Sequence, residues 1–387
     1  MNQDFSERIT GLTQSDIRAM TQKCNEYHGI NLGQGLCQLP TPPEIIAAAQ
    51  KALEDNSKCI YSPAEGILSL RQAIAGKLKE KNNIIADPQS EILITIGATG
   101  GFASSLMALF NPGDKILLFE PFYGYHYNTA KLAGLDVLAV PMNGNEEYTE
   151  ALLRDFVSQV QGVVVCTPGN PGGKMWTQKE IDILAKLSKE FSFKVITDEM
   201  YEFFRYGQAH ISPASHPDLK SKTITLMGLS KTFSITGWRL GYVVAPTKYL
   251  EKIRIANDLF YVCAPTPLQY GVEAGFQIDD SYYSELQKDF HKRRDQICSA
   301  LEEGGMPPIK PNGAYYVLAD ISRFSFASSL DFAMALLQKV GVAGVPGRAF
   351  FLSTEGEKYI RFNFAVSQEE LDEACERLRR TKEVFNG

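Results

Sequence analysis

The chain has 387 residues, of which 44% are hydrophobic and 22% are charged, and its formal net charge is −6. This length predicts one large domain with a smaller one, so a sizeable core and an enclosed site are both feasible. The negative balance argues against nucleic acid or anionic lipid as a partner, because an overall positive field is absent.

Seven short apolar runs bounded by turn residues predict β-strands. In chain order they lie at 91–96, 115–120, 135–140, 162–166, 193–198, 223–228 and 240–245. Most of them are apolar without interruption, which is typical of strands that are covered on both faces.

Helical patterns lie between several of these strands. The clearest runs from Thr177 to Glu190, where Thr177 and Glu180 form a T-x-x-E capping box. Strands that alternate with helices predict the α/β class, here a large domain with a mostly parallel seven-stranded sheet covered by helices.

The two ends of the chain look different from this central block. No regular element is predicted for residues 1 to about 45, whereas 281–387 carries two charge-rich helical stretches around two short β-like runs. We therefore predict a large domain at 46–285 and a smaller α+β domain that joins 1–45 to 286–387.

The cysteines and the N-terminus predict the compartment. Seven cysteines are scattered without a C-x-x-C pair, which argues against a disulfide framework and a zinc site. No apolar leader or membrane-spanning run is present. These features predict a cytoplasmic protein with reduced thiols, no membrane partner and no metal.

Unusual residues follow the first two strands of the series, and ligands of open α/β sheets bind at the carboxyl ends of strands. Gly97-Ala98-Thr99-Gly100-Gly101 precedes a helical run, so it suits either a phosphate at a helix start or a tight turn. The segment 121–125 (PFYGY) offers an aromatic face for a planar ring, although such residues are more often ordinary packing residues.

Two further strand ends carry polar residues. The segment 167–174 (TPGNPGGK) is one residue too short for a P-loop and has Met175 in place of Ser or Thr, which excludes a nucleotide triphosphatase. Asp198 and Tyr201 follow the next strand, where an ionised carboxylate needs a partner and is either functional or a structural salt bridge or cap.

The segment 230–241 (SKTFSITGWRLG) follows the sixth predicted strand. By itself Lys231 reads as a solvated lysine, while Arg239 has the planar fork that binds phosphate oxygens. A glycine-rich helix start, a stacking ring, Asn170, Asp198 and this pair of cations occur together at successive strand ends, which favours a cofactor site.

These motifs resemble the pyridoxal-phosphate enzymes of fold type I, specifically the class I/II aminotransferases of the aspartate, kynurenine and aromatic group. The pattern S-K-x-F-x-x-x-G-x-R-x-G spans Ser230 to Gly241. The resemblance implies that Lys231 forms the Schiff base with pyridoxal 5'-phosphate and that Arg239 and Ser230 bind its phosphate.

Other site roles are implied by the same resemblance. Asp198 would bond the pyridine nitrogen, and Tyr201 and Asn170 the O3′ oxygen, so that Lys231, Asp198 and Tyr201 are the predicted catalytic residues. Tyr123 would stack on the ring, and Ala98 and Thr99 would supply backbone N–H groups to the phosphate.

Substrate and subunit contacts are implied as well. Arg361, in YIRFNFA, would clamp the substrate α-carboxylate beside Gly35 and Asn170. Tyr61 opens a Y-x-P-x-x-G-x-x-x-L-R pattern and would reach the phosphate of the neighbouring subunit, which implies a homodimer with shared sites.

The predicted function is therefore transfer of an amino group from an L-amino acid to a 2-oxo acid, with ping-pong kinetics. The alternative is a pyridoxal-phosphate-dependent carbon–sulfur β-lyase on the same fold. A nicotinamide dehydrogenase is remote because the glycine spacing at 97–101 is wrong for it, and a noncatalytic module ranks low because the lysine and arginines are present.

The amino donor is not identified by the sequence. Departures such as Cys37-Gln38-Leu39 and the glycine pair at 172–173 lie near the substrate, so specificity cannot be transferred from the family. Tyr125, Tyr127 and Tyr261 could line an aromatic pocket, and Arg348 is a minor candidate for a distal carboxylate.

Overall fold

The computed structural model describes residues 6–144 and 146–386, so the predicted domain ends at 1–5 and 387 lie outside the described part. Its strands are β1 (Ile30–Asn31), β2 (Ile92–Ile96), β3 (Lys115–Phe119), β4 (Asp136–Val140), β5 (Gly162–Cys166), β6 (Lys194–Asp198), β7 (Thr223–Gly228), β8 (Leu240–Val244), β9 (Pro308–Ile309), β10 (Tyr316–Asp320), β11 (Val342–Ala343), β12 (Val345–Pro346) and β13 (Tyr359–Asn363). Its helices are α1 (Asp16–Glu26), α2 (Pro43–Leu53), α3 (Leu68–Asn82), α4 (Gly97–Leu109), α5 (Gly124–Leu132), α6 (Glu150–Val157), α7 (Gln178–Glu190), α8 (Pro217–Lys220), α9 (Thr247–Tyr261), α10 (Thr266–Glu273), α11 (Ser281–Glu303), α12 (Ser329–Val340), α13 (Gln368–Arg379) and α14 (Thr381–Asn386).

The central sheet has seven strands within the described residues, in the order β2-β8-β7-β6-β5-β3-β4. β8 is antiparallel to both of its neighbours, and the remaining neighbours are parallel. The seven predicted strands are confirmed, with every end within one residue. Alternate residues of a strand enter different cores, as Leu93 and Ile94 do, which explains the uninterrupted apolar runs.

Two helices test the sequence signals directly. α7 begins after Thr177, whose side chain accepts from the Glu180 N–H while Glu180 accepts from the Thr177 N–H, so the predicted capping box is confirmed. α4 begins at Gly97 itself. The glycine-rich segment, for which the sequence left open a phosphate site at a helix start or a tight turn, forms the first turn of the helix.

A second core contains residues from both ends of the chain. Met20 and Cys24 pack there with Phe290, Phe332 and other buried residues of the C-terminal part. β1 pairs in parallel with β11, and a sheet of order β12-β13-β10-β9 lies in the same part of the chain. The boundaries at 46 and 285 stay a prediction; α11 runs through residue 285.

The expectation of no regular element in residues 1 to about 45 is wrong. α1 covers Asp16–Glu26, and α2 begins at Pro43. The buried residues of α1 are Met20 and Cys24. Because so few apolar residues lie on one face of this polar helix, the sequence shows no strong helical periodicity there. The C-terminal part likewise has more elements than the two helices and two strands predicted.

Among the residues that the structure describes, we find no helix whose length and apolar character would let it cross a membrane. Within the same residues, no group of three or more His, Cys, Asp or Glu side chains is arranged to hold a metal ion. All seven cysteines are free thiols.

Candidate active site

A cleft of about 1110 Å³, counting its open mouth, lies at the carboxyl ends of the parallel strands. All predicted site residues except Tyr61 line it: Gly35, Ala98, Thr99, Tyr123, Asn170, Asp198, Tyr201, Ser230, Lys231, Arg239 and Arg361. The strand ends meet here because parallel strands share one edge, and the antiparallel β8 adds its first residues to the same edge. Gly35 and Arg361 reach the cleft from the second core.

Lys231 follows β7 and lies inside this cleft. Its Nζ donates to the carbonyl oxygen of Gly35 at 2.6 Å. Burial lowers the pKa of the Lys231 amine to about 8, with Cys37 opposing and Arg239 adding to the shift. The reading as a solvated lysine is therefore wrong, and a usable fraction of the amine is neutral near physiological pH.

Asp198 ends β6 and is only 8% exposed. One carboxylate oxygen lies 2.9 Å from Nε2 of His126, and the other accepts from the N–H of Met200 at 3.2 Å. His126 is held between Phe102 and Tyr123, whose ring centroids lie 4.8 and 5.3 Å from its own. The carboxylate is thus held in orientation by one contact to each of its oxygens.

Tyr201 bonds to a second tyrosine in the cleft. Its hydroxyl lies 3.0 Å from the hydroxyl of Tyr316. Burial holds the pKa of Tyr201 well above its usual range, so the phenol stays protonated and can donate a hydrogen bond. A Cβ at Gly35 would lie 2.0 Å from the Tyr316 hydroxyl, so glycine is needed for this close approach.

Arg361 lies on β13 and is 1% exposed. Its Nη1 donates to Oδ1 of Asn170 at 3.0 Å, and its Nη2 donates to the carbonyl of Gly33. The guanidinium lies over the rings of Tyr316 and Phe350, at 4.5 and 4.9 Å. Within residues 6–144 and 146–386, its Nε is buried without a hydrogen-bond partner. An unmet buried donor costs about 1–3 kcal/mol, so this guanidinium retains hydrogen-bonding capacity that the described residues do not satisfy.

Donors for a second anion surround the start of α4. Ala98 and Thr99 are in its first turn, and its N-cap residue provides no side-chain cap, so backbone N–H groups remain free. Gly97 has φ +64°, and a Cβ there would lie 2.7 Å from Nη2 of Arg239. Ser230 also lines the cleft, where its hydroxyl donates to the carbonyl of Leu240 at 3.3 Å. A phosphate-sized anion fits these donors.

The side chains of the cleft that the sequence missed include His126, Tyr316 and Arg18. His126 follows Tyr123 by one helical turn, which is the only local sign of its position. No feature of the sequence predicts the contact of His126 with Asp198 or that of Tyr316 with Tyr201.

The other tyrosines singled out in the sequence lie in different parts of the structure. Tyr125 lines the cleft and stacks on Tyr123 with ring centroids 5.1 Å apart. Tyr127 instead stacks on Phe122 at 5.8 Å, and Tyr261 lies against Gly100. Tyr61 is 79% exposed and lies outside the cleft of its own chain.

Comparison with known proteins gives one family. The model "Aminotransferase class I and II" matches residues 27–378. The chain is 32% identical to aromatic-amino-acid aminotransferase 2 of Thermococcus litoralis and 33% identical to an aspartate aminotransferase of Pyrococcus abyssi, in each case over 97% of both chains. The solved N-succinyldiaminopimelate aminotransferase of Mycobacterium tuberculosis superimposes with a TM-score of 0.93, at 29% identity, over 97% of this chain and 100% of its own. These relatives act on different substrates by name.

Proposed function

The chain belongs to the aminotransferase class I and II family, and from this premise we propose roles for the residues of its cleft. It is a pyridoxal-phosphate-dependent aminotransferase that moves an amino group between an amino acid and a 2-oxo acid. The relatives named above support no lyase activity. The observation that carries the residue assignment is Lys231, a lysine with its pKa lowered to about 8 inside a cleft that has donors for two anions.

The residues present fit pyridoxal phosphate. The free N–H groups of α4, Ser230 and Arg239 would hold the phosphate, and Tyr123 would lie on the ring face. Asp198 would face the ring nitrogen, and Asn170 and Tyr201 the ring oxygen. When bound, the cofactor supplies a carbonyl carbon that takes the amino group and a ring that withdraws electrons.

Lys231 has two proposed tasks. Its amine would hold the cofactor covalently before substrate arrives, and once freed it would remove the proton from the substrate Cα and return it at the C4′ atom. Both tasks need an unprotonated amine, which burial makes accessible near neutral pH. The bond to Gly35 holds this amine on the substrate side of the cleft.

Asp198 would keep the ring nitrogen protonated, because a nearby carboxylate favours the charged form of that nitrogen. His126 is a positioning residue, since it bonds the carboxylate oxygen that Met200 does not. Tyr201 stays protonated and donates to the ring oxygen, which leaves Tyr316 to orient its hydroxyl.

Arg361 holds the α-carboxylate of the substrate. Asn170 and the Gly33 carbonyl fix two of its nitrogens, which orients the guanidinium for the carboxylate. Because Gly35 has no side chain, the Tyr316 hydroxyl can lie against its backbone beside the clamp. Binding of the α-carboxylate at Arg361 would fix the position of the substrate Cα relative to Lys231.

A panel of amino donors and 2-oxo acids tests the whole proposal. Each half-reaction should interconvert the pyridoxal and pyridoxamine absorption spectra, and product formation should follow ping-pong kinetics. Release of ammonia without any 2-oxo acid, at a rate equal to that of transamination, would contradict it. A purified protein that neither carries nor takes up pyridoxal phosphate would do the same.

Uptake of the cofactor by the cofactor-free enzyme is expected to accelerate with pH and to level off above pH 8. Only the neutral amine of Lys231 attacks, and its pKa is lowered to about 8, so raising the pH through this value increases the reactive fraction. An ordinary lysine would keep gaining reactivity up to about pH 10.4. Stopped-flow absorbance over this range measures the rate, and a rate still rising tenfold per pH unit above about pH 9 would contradict the lowered pKa.

We further propose a homodimer, in which Tyr61 reaches the phosphate of the neighbouring site. Exposed apolar side chains support it: Leu53, Ile60, Ile255, Leu259, Phe260 and Val262. The N–H of Ser62 donates to Thr266 at 3.0 Å, which brings Tyr61 next to the end of α9. Tyr261 on this surface packs against Gly100 of α4, so the surface adjoins the phosphate donors.

Mixed dimers test the role of Tyr61. Tyr61→Ala is expected to weaken cofactor binding roughly 10-fold through loss of one hydrogen bond to a charged group. In a hybrid of Tyr61→Ala and Lys231→Ala subunits, the site with an intact lysine receives Tyr61 from the other subunit, so its cofactor affinity should return to the wild-type value. Tyr27→Ala, at another exposed tyrosine, is the control.

The subunit proposal has two contradicting outcomes. Light scattering that gives the mass of one chain at working concentration would exclude the dimer. A hybrid whose intact-lysine site keeps the weakened affinity would place the effect of Tyr61 within its own chain.

We also propose the cytoplasm as the compartment, on the ground that all seven cysteines are free thiols. The division into 46–285 and 1–45 with 286–387 is likewise proposed, and the separate core around Met20, Phe290 and Phe332 supports it.

A further inference from the structure

The cleft contains one cation more than the proposed function uses. Of the described residues that line it, four are lysine or arginine, and Asp198 is the only carboxylate: Arg18, Lys231, Arg239 and Arg361. Lys231 does covalent chemistry, Arg239 faces the phosphate and Arg361 faces the α-carboxylate. Arg18 remains without an assigned anion.

Arg18 is placed at the cleft by the helix that the sequence did not predict. Asp16, two positions earlier on α1, accepts from Nε and Nη2 of Arg348, both at 3.1 Å. This bidentate pair fixes the start of α1 on the C-terminal part of the chain. From this helix, the Nε of Arg18 donates to the hydroxyl of Tyr125 at the cleft, at 3.4 Å.

The guanidinium of Arg18 has no carboxylate partner among residues 6–144 and 146–386, and the side chain is exposed at the mouth of the cleft. Arg348, the candidate from sequence, is different: its guanidinium is occupied by Asp16, and it does not line this cleft. The structure thus replaces Arg348 by Arg18 as the cation available to a second carboxylate.

Aromatic rings join Arg18 to the reaction centre. Tyr125, which accepts from Arg18, stacks on Tyr123 with an interplanar angle of 14°. Tyr123 in turn lies close enough to Arg361 and Asp198 for their charges to act on its phenol. A substrate clamped at Arg361 therefore has an aromatic wall along its side and a free guanidinium at the open end.

We propose that Arg18 binds the distal carboxylate of a dicarboxylic substrate, an acidic amino acid or the corresponding 2-oxo acid, with Tyr125 positioning the guanidinium. This inference rests on the proposed function, since it takes Arg361 as the clamp for the α-carboxylate. A guanidinium fork binds a carboxylate through two parallel N–H bonds, whereas a neutral side chain leaves these donors to water.

Matched substrates of equal size test this proposal in the holoenzyme. L-glutamate is compared with L-glutamine, and 2-oxoglutarate with 2-oxopentanoate, while L-phenylalanine serves as an uncharged reference. Arg18→Gln should lower kcat/KM for the two diacids roughly 10- to 100-fold, mainly through KM, and should leave the neutral partners within about 2-fold. Arg18→Lys should recover part of the loss, because it keeps the charge but not the fork.

A binding experiment removes catalysis from the test. Succinate and butyrate differ only in the second carboxylate, and their dissociation constants can be titrated on the holoenzyme. Wild type should bind succinate at least about 10-fold more tightly than butyrate, and Arg18→Gln should abolish this preference. Lys23→Gln, on an exposed face of the same helix, is the control for general effects of charge on α1.

Three results would overturn the inference while leaving the proposed function intact. They are a wild-type enzyme that does not prefer either diacid to its neutral partner, an Arg18→Gln enzyme with unchanged preference, and equal losses for charged and neutral substrates. The last would mean that Arg18 only holds α1 or Tyr125. Failure of the proposed function looks different, because wild type would then show no half-reaction with any pair.

Discussion

Replacing Lys231 with alanine is expected to lower the turnover of transamination by at least about 10⁴-fold, because the covalent attachment and the proton transfer at Cα are lost together. The protein should remain folded, since the contacts of the Lys231 amine are one hydrogen bond to Gly35 and a cation–π contact with the Tyr315 ring at 5.8 Å. Turnover with the best donor and acceptor pair is the measurement. Circular dichroism and the Tm check the fold.

Two matched variants make the Lys231 result specific. Lys231→Arg keeps a cation of similar size but cannot form the covalent bond or exchange its proton near neutral pH, so it should be as inactive as the alanine variant. Lys288→Ala removes an exposed lysine of α11 and should keep full activity. Near-normal turnover by Lys231→Ala would remove the central residue from the assignment.

Asp198→Asn is expected to slow proton removal from the substrate Cα by roughly 10²- to 10⁴-fold. An amide is close in size to the carboxylate and can still accept a hydrogen bond from Met200, but it has no charge to keep the ring nitrogen protonated. The loss should therefore appear in the chemical step and not in the fold. Single-turnover kinetics of the first half-reaction, free of product release, measure this step.

Asp136→Asn is the matched control for that variant. Asp136 lies on β4 of the same sheet, with an exposed side chain and an ion pair of 3.6 Å to Lys131. Its loss should change stability by less than about 1 kcal/mol and leave the half-reaction unchanged. A wild-type single-turnover rate in Asp198→Asn would refute the proposed role of the carboxylate.

The variant His126→Asn separates position from charge at Asp198. If His126 only orients the carboxylate, its loss should slow the same step less than Asp198→Asn does, and the two changes combined should not add. Their interaction is expected because the two side chains are 2.9 Å apart. This coupling was invisible in the sequence, where the residues are 72 positions apart.

The three relatives differ by name in substrate at 29–33% identity, so family membership does not set the donor of this chain. In the proposed mechanism the lysine, the carboxylate and the anion donors of the cleft would act on the part common to all such substrates. The open end of the cleft, with Arg18 and Tyr125, would act on the part that varies. Specificity is therefore to be sought at that end.

The sequence by itself determined the central sheet and most of the cleft. The strands of this sheet are apolar runs in the sequence, because they are buried on both faces. The predicted strand ends therefore agree with the observed ends within one residue. Residues that follow such strands converge at one edge because parallel strands end there, which places Asp198, Lys231 and Asn170 in one cleft without knowledge of any contact.

Only the tertiary structure decided which side chains meet across long stretches of chain. The pairs of His126 with Asp198, Tyr316 with Tyr201 and Arg18 with Tyr125 come from separate elements, and no periodicity or spacing encodes them. The same holds for arginines: Arg348 is paired with Asp16, whereas Arg18 has no carboxylate partner among the described residues and donates to Tyr125. The physical reason is that secondary structure depends on burial and hydrogen bonding that are local in sequence. Which charged side chains stay unpaired depends instead on how distant elements pack against each other.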